Sequence, residues 1–239
     1  MPLSLHSQSL RTLAILSLFL SLQSASQAAI GCTLSNPGRD LKALYPTMTS
    51  YREELREIRT LPDGIAAYTW LRERVGSNLD PVYEGPDTPY TLYAVFEQER
   101  LIGYVHGVNV PGRGGVIQVF LAIDPETSSI VRMFFQRLES PGGAALRNPA
   151  VRNQFVGLTL ADFYRHDYFS VADPNHPADR VGRLVPPASL PEAAQADWQA
   201  TLRGVRKNLV LLDLFVFERR HDPFFARSRD LLTQQEKKP

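Results

Sequence analysis

The sequence predicts an α+β fold in which an antiparallel sheet, a meander of about four to five strands, is flanked by helices. Two observations predict this class. Residues 90–138 contain four apolar, strand-like runs separated by short polar turns, which is the spacing of a meander. Capping and periodicity signals typical of helices stand on both sides of these runs. We therefore expect helices to cover a central sheet.

Three helices are predicted before the strands. The first runs from Asp40, as N-cap, to Tyr45 and is halted by a proline. Ser50 and Glu53 form a capping box that predicts a second helix through about Ile58. Asp63 can cap the third, whose apolar residues fall close to one face.

The strands are predicted at residues 90–96, 101–110, 116–123 and 130–138. In the third strand both faces are mostly apolar, as expected of a sheet that is covered on both sides by helices or by a ligand.

Three segments after the sheet complete the prediction. Asn148 and Pro149 are expected to start a short helix that ends at about Phe155. Residues 164–190 are rich in Pro, Asp and His and indicate a long surface loop. Residues 209–217 are apolar on nearly every side, which indicates a buried helix or a late strand.

The N-terminus predicts export. Arg11 precedes an apolar run at residues 13–22 and a stretch of small and polar residues at 23–29, the pattern of a secretory signal peptide. The run is too short for an ordinary membrane span. We expect residues 1–29 to be a signal peptide and residues 30–239 to form one domain with a polar C-terminal tail, placed in the periplasm.

Cys32 is the single cysteine of the chain, so no intramolecular disulfide can form. Residues 29–32 resemble a lipobox, in which the cysteine is acylated and becomes the mature N-terminus. The sequence leaves two interpretations of Cys32. Either it is lipidated and anchors the protein to a membrane surface, or it is an incidental thiol near the mature N-terminus.

Composition and motifs exclude several classes. The net charge of +1, without a long run of one sign, argues against nucleic acid as a partner. The sequence contains no nucleophile elbow, phosphate-binding loop or zinc-protease motif, so no catalytic residue is predicted. His166, Asp167, Asp173 and His176 share a loop, but their spacing favours a solvated polar loop over a metal site.

Five segments, taken in order, carry a resemblance to a known family. They are residues 40–46, 101–105, 114–124, 139–143 and 154–157. Together they resemble the extracytoplasmic FMN-binding domain of flavin-carrying subunits in ion-pumping redox complexes. The resemblance covers most of the chain after the signal peptide and implies FMN as the cofactor.

The resemblance implies that one part of the flavin site is a turn. Glu139, Ser140, Pro141, Gly142 and Gly143 stand where the family carries Glu-Thr-Pro-Gly-Leu-Gly. The glycines would approach the ring, and Glu139 or Ser140 would bond its polar edge. Pro-Gly also forces a turn by itself, so a plain strand-ending turn is the alternative interpretation.

The resemblance places the second part of the site at a threonine. The family attaches FMN, through its phosphate, to the threonine of an Asp-x-x-Ser-Gly-Ala-Thr motif, and Ala200 and Thr201 match its final pair. Trp198 and Gln199 replace the Ser-Gly pair, so Thr201 is alternatively an ordinary helix residue. Pro187-Ala188-Ser189 is a poorer second candidate for the attachment site.

Two functions follow from the resemblance. The first is an exported FMN-binding-domain-like protein with an electron-transfer role at the outer face of a membrane, where its partner is a membrane redox complex or another extracytoplasmic protein. The second is a flavin-free relative that acts as a binding or scaffold module in the periplasm.

Overall fold

A single five-stranded antiparallel sheet organises the computed structural model, which describes residues 32–76 and 84–237. The strands follow one another in chain order and are β1 (Ser50–Glu57), β2 (Pro89–Glu97), β3 (Arg100–Gly112), β4 (Gly115–Ile123) and β5 (Ile130–Leu138). The predicted fold class and the four predicted strands are confirmed. The predicted signal peptide and most of the lipobox lie outside the described residues.

Helices pack around this sheet. They are α1 (Pro37–Leu44), α2 (Gly64–Val75), α3 (Gly143–Leu146), α4 (Pro149–Arg152), α5 (Leu160–Ala172), α6 (Gln195–Phe215) and α7 (Asp222–Glu236). Of the helices in the described part of the chain, none is long and apolar enough to cross a membrane.

Helix α6 covers the inner face of the sheet and forms the centre of the larger core. Gly204 permits this close packing, because a Cβ atom at this position would lie 3.2 Å from methyl groups of both Val110 and Val119. Residues 209–215 belong to α6, which selects the helical alternative for this segment, and residues 209–214 are all buried. The apolar run is therefore a helix buried on most of its circumference.

The outer face of the sheet carries α1 and a smaller core. The ring of Tyr45 lies directly over Gly103, where a Cβ atom would come within 2.0 Å of the tyrosine hydroxyl. That hydroxyl donates a hydrogen bond to the carbonyl oxygen of Ile123 at 3.0 Å. Two segments of the family resemblance, one in α1 and one in β3, thus pack against each other.

The predicted helix from Ser50 to Ile58 is wrong, since these residues form β1. A capping box is a local signal, and this segment lacks an apolar stripe at helical spacing. Its side chains instead alternate between the two faces of the sheet. One face carries Tyr51, Glu53 and Leu55, and the other carries Arg52, Glu54 and Arg56. Pairing with β2 decides the conformation.

The predicted long loop is also wrong in its first part, where α5 extends to Ala172. Thr159 and Asp162 form the capping box that starts this helix. Tyr164 is fully buried within it, against Phe225 of α7. Helix α1 likewise begins earlier than predicted, with Asn36 rather than Asp40 as its cap.

Candidate functional site

The predicted flavin turn lies where β5 ends, against the hairpin that joins β3 to β4. Ser140 shapes this turn, because its carbonyl oxygen accepts the amide of Gly143 at 2.9 Å and its Oγ accepts the amide of Gly142 at 3.2 Å. Gly114 of the hairpin packs directly on the turn, since a Cβ atom there would lie 1.7 Å from the carbonyl oxygen of Glu139. The hairpin and the turn therefore form one unit.

Asp197, in the first turn of α6, joins this unit to the segment that contains Thr201. The carboxylate is fully buried. One oxygen accepts the backbone amide of Arg113 at 2.6 Å, and the other accepts the hydroxyl of Ser140. Segments more than fifty residues apart in sequence are thus brought together by one carboxylate.

Ala200 and Thr201 lie one turn further along α6 and are both buried. The hydroxyl of Thr201 donates a hydrogen bond to the carbonyl oxygen of Asp197 at 2.8 Å, within the helix. Trp198 is buried beside it, with its ring centroid 5.9 Å from that of Phe155. In this conformation the hydroxyl that the resemblance assigns to the phosphate bond is closed to solvent.

The glycine backbone of the turn is covered as well. A Cβ atom on Gly142 would lie 2.5 Å from Cδ1 of Leu190 and 2.6 Å from Cβ of Ala194. Gln154 holds the neighbouring segment in place through two hydrogen bonds to the backbone of Val185, at 2.9 and 3.0 Å. We call residues 185–194 the covering segment, because they occupy the position above Gly142.

The other candidate residues of the predicted site divide into exposed and buried ones. The side chain of Glu139 is 61% exposed and pairs with Arg137 at 3.0 Å. Pro141 and Ser189 are exposed, whereas Gly143 is buried against the carbonyl oxygen of Leu138. With Leu190 and Ala194 above Gly142, the turn does not fit a flavin, and the hydroxyl of the buried Thr201 is closed to a phosphate.

A buried polar pair under the sheet was not apparent from the sequence. His106 of β3 donates through Nδ1 to the side-chain oxygen of Asn208 at 2.8 Å, and the amide nitrogen of Asn208 donates to the carbonyl oxygens of His106 and Val119. Burial of the imidazole lowers its pKa from 6.5 to about 4. Only the pairing of β3 with α6 could reveal this contact, because the two residues are far apart in sequence.

A serine, a histidine and an aspartate also form a hydrogen-bonded series of side chains that no sequence motif indicated. Nε2 of His221 lies 3.2 Å from Oγ of Ser128, and its Nδ1 lies 2.8 Å from Oδ1 of Asp213. The order is that of a hydrolytic triad. Ser128 is only 2% exposed, however, and its hydroxyl donates to the carbonyl oxygen of Thr127 at 2.6 Å. These hydrogen bonds therefore connect the β4–β5 turn to the end of α6.

The two histidines of the predicted polar loop, His166 and His176, contact different residues. Nδ1 of His166 contacts the carboxylate of Asp179 at 2.8 Å, and the ring of His176 stacks on Phe169. Within the residues that the structure describes, no group of three or more His, Cys, Asp or Glu side chains is placed to hold a metal.

Cys32 lies in the smaller core on the outer face of the sheet, near Leu34 and Tyr93. Burial raises the pKa of the thiol to about 12. Leu34 donates its amide to the hydroxyl of Tyr93 at 3.0 Å and fixes this stretch on the sheet. The lipidation prediction therefore concerns a side chain that would have to leave this core to carry an acyl chain.

Comparison with known proteins finds similarity to solved structures but not to a family model. No family model matches the chain, and no curated protein matches it. The crystal structure of NqrC from Shewanella oneidensis is similar at 15% sequence identity and a TM-score of 0.44, over 83% of this chain and 90% of that chain. Because both values are low, we base the proposed function on this chain's own residues.

Proposed function

We propose that this chain is an exported FMN-binding-domain-like protein with an electron-transfer role at the outer face of a membrane, where its partner is a membrane redox complex. We further propose that FMN is held without a bond to Thr201. In such a domain the flavin supplies the redox chemistry, and the protein positions it.

The observation that carries this proposal is the convergence of the two segments that the resemblance connects with the flavin and of a third, residues 154–157, that also carries the resemblance. The turn at residues 139–143 meets the start of α6 through Ser140 and Asp197. Phe155, from the third segment, packs on Trp198 of the same helix turn. Residues distant in sequence thus meet at one end of the sheet.

The buried hydroxyl of Thr201 is the reason to propose binding without a phosphate bond. A transferase needs access to this oxygen, and the hydroxyl is closed to solvent and bonded to Asp197. Flavin binding carries a structural requirement as well, because Leu190 and Ala194 occupy the space above Gly142. The covering segment must move away from the turn when flavin is loaded.

A flavin-free binding or scaffold module is the second candidate, and the same packing favours it. Trp198 stands where the family has a small residue and fills the space beside Phe155. A relative that had lost its flavin would be expected to fill the vacated volume with its own side chains, because protein interiors are close-packed.

The deciding experiment is to measure the flavin content of protein co-expressed with a flavin transferase and exported. The proposal predicts the visible absorption of oxidised flavin and release of FMN on denaturation by acid, and Thr201→Val should leave both unchanged. An adduct on the Thr201 peptide would show that the bond exists after all. Colourless protein that releases no FMN would decide for the flavin-free module.

Two substitutions test the covering segment. Leu190→Ala should raise flavin occupancy by uncovering Gly142, while Gly142→Val should lower it by steric exclusion. Val185→Ala is the matched control, because it truncates an exposed side chain in the same segment. Equal flavin content in all of these proteins would contradict a site at this turn.

A further inference from the structure

The two edges of the sheet differ in how they are protected. At β5 the chain folds back on the edge, where Ile130 exchanges backbone hydrogen bonds with Gly157 and Leu158 at 2.8 and 2.9 Å. The side chains of Arg147 and Arg152 then bond the carbonyl oxygens of Phe135 and Met133. This edge is closed by the protein itself.

Strand β1 is the opposite edge, and no other strand among residues 32–76 and 84–237 pairs with its outer side. It pairs with β2 on one side, and none of its eight residues is buried. A long edge strand without proline or bulge presents a row of amides and carbonyls that a further strand can pair with. The sequence of β1 contains neither of these protective features.

The two faces of β1 have different chemistry. Arg52, Glu54 and Arg56 share the inner face, where they border a groove of about 280 Å³ with an apolar floor that includes Leu92 and Phe96. Tyr51 and Leu55 lie on the outer face and are 39% and 66% exposed.

We propose that β1 pairs antiparallel with β1 of a second copy of this chain and so extends the sheet to ten strands. In the register centred on Glu53, Arg52 faces Glu54 of the second copy on the inner face. On the outer face Tyr51 faces Leu55 of the second copy. By two-fold symmetry each of these pairs forms twice, and opposite charges and apolar pairs across antiparallel strands are stabilising.

Charge complementarity selects this partner and this register. Charged residues on an edge strand normally deter pairing with other sheets. Moving the centre by one residue to Glu54 would place Arg52 opposite Arg56 and Glu54 opposite itself, which is repulsive. In the proposed register the one repulsive contact is between the two copies of Glu53, and the Tyr51–Leu55 pairs lie on both sides of it.

Charge reversal tests the proposal in the full exported chain, with the dissociation constant of the dimer measured by sedimentation equilibrium. Arg52→Glu and Glu54→Arg should each weaken dimerisation about tenfold or more, because each change turns two attractive pairs into repulsive ones. The double variant restores opposite charges and should recover the wild-type constant.

Two further variants serve as controls. Arg56→Glu makes the same charge change on the same face, but residue 56 faces Ser50 in this register and reaches the interface only through its hydrogen bond to Glu54 of its own strand, so its effect should be smaller than that of Arg52→Glu. Glu53→Gln should tighten the dimer by removing the central repulsion. All positions are on the surface, and circular dichroism will check that each variant remains folded.

Three results would overturn the proposal. The first is a wild-type protein that stays monomeric up to millimolar concentration. The second is a double variant that dimerises no better than the single variants. The third is an Arg56→Glu effect larger than that of Arg52→Glu, which would rule out the register. None of these results depends on flavin binding, so the proposed function is tested separately.

Discussion

The side chain of Asp197 holds two separate segments of the chain together. Its carboxylate holds the hairpin through the amide of Arg113 and the turn through the hydroxyl of Ser140, and it is fully buried. Both donors would lose their acceptor if the carboxylate were removed, and burial would prevent water from replacing it freely.

We predict that Asp197→Ala lowers the free energy of unfolding by about 2–4 kcal/mol, measured by urea denaturation. Asp230→Ala is the matched control, since Asp230 is exposed on α7 and should change stability by less than about 0.5 kcal/mol. A similar loss in both variants would argue against a special role of Asp197.

The buried His106 makes stability depend on pH. Its pKa falls from 6.5 in the unfolded chain to about 4 in the folded protein, because burial disfavours the charged imidazole. Between these two values the unfolded state binds the additional proton, so stability decreases as the pH falls. The contribution is fully present above pH 6.5 and is lost progressively towards pH 4.

We predict that, between pH 6.5 and 4, this residue contributes a slope of about 1.4 kcal/mol per pH unit to the free energy of unfolding. His106→Gln keeps an amide that can bond Asn208 but does not titrate. Urea denaturation of both proteins at several pH values should show a shallower slope in the variant. Parallel curves would mean that His106 does not titrate in this range.

At the scale of elements, the contact between α1 and the sheet depends on Gly103. Tyr45 occupies the space that any larger residue at this position would need. This explains why the aromatic residue at the end of α1 and the Ile-Gly-Tyr core of β3 occur together in the sequence. Each motif alone is weak, but the structure shows that they form one contact.

We predict that Gly103→Ala destabilises the protein by about 1–3 kcal/mol, because the Tyr45 ring must shift and its hydrogen bond to Ile123 weakens. Gly38→Ala is a matched control in α1, where an added Cβ meets open space and helix propensity favours alanine. Thermal unfolding should separate the two, and an unchanged melting temperature for Gly103→Ala would contradict this role.

At the scale of the whole molecule, the sequence predicts most of the sheet and less of what surrounds it. Strands β2 to β5 are predictable because their apolar runs are continuous and their turns carry Gly, Pro and Asp. Strand β1 is not, because its charged residues support a helix and a strand equally until β2 lies beside it.

For the candidate site, the sequence indicates some of the residues but not the segment that covers them. The resemblance proposes the turn and Thr201 as parts of a site, and both contact Asp197 in the structure. The cover over Gly142 is not predictable, because Leu190 and Ala194 lie in a stretch without periodicity whose position depends on Gln154 and Val185. Tertiary contacts of this kind leave no local signal.

The proposed dimer should make stability depend on protein concentration. If unfolding is coupled to dissociation, mass action adds about 1.4 kcal/mol of apparent stability for each tenfold rise in concentration above the dissociation constant. We predict that the melting temperature of the wild type rises with concentration, and that the rise for Arg52→Glu begins only at about tenfold or more higher concentration. Curves that coincide at all concentrations would indicate a monomer throughout.

The closed edge at β5 has a consequence for polymerisation. A sheet with two free edges can add copies at both ends and grow into a filament. Here Arg147, Arg152 and the backbone of Gly157 and Leu158 block growth at β5. Self-pairing at β1 therefore uses the single free edge of the described sheet, and assembly terminates at two copies instead of continuing as a fibre.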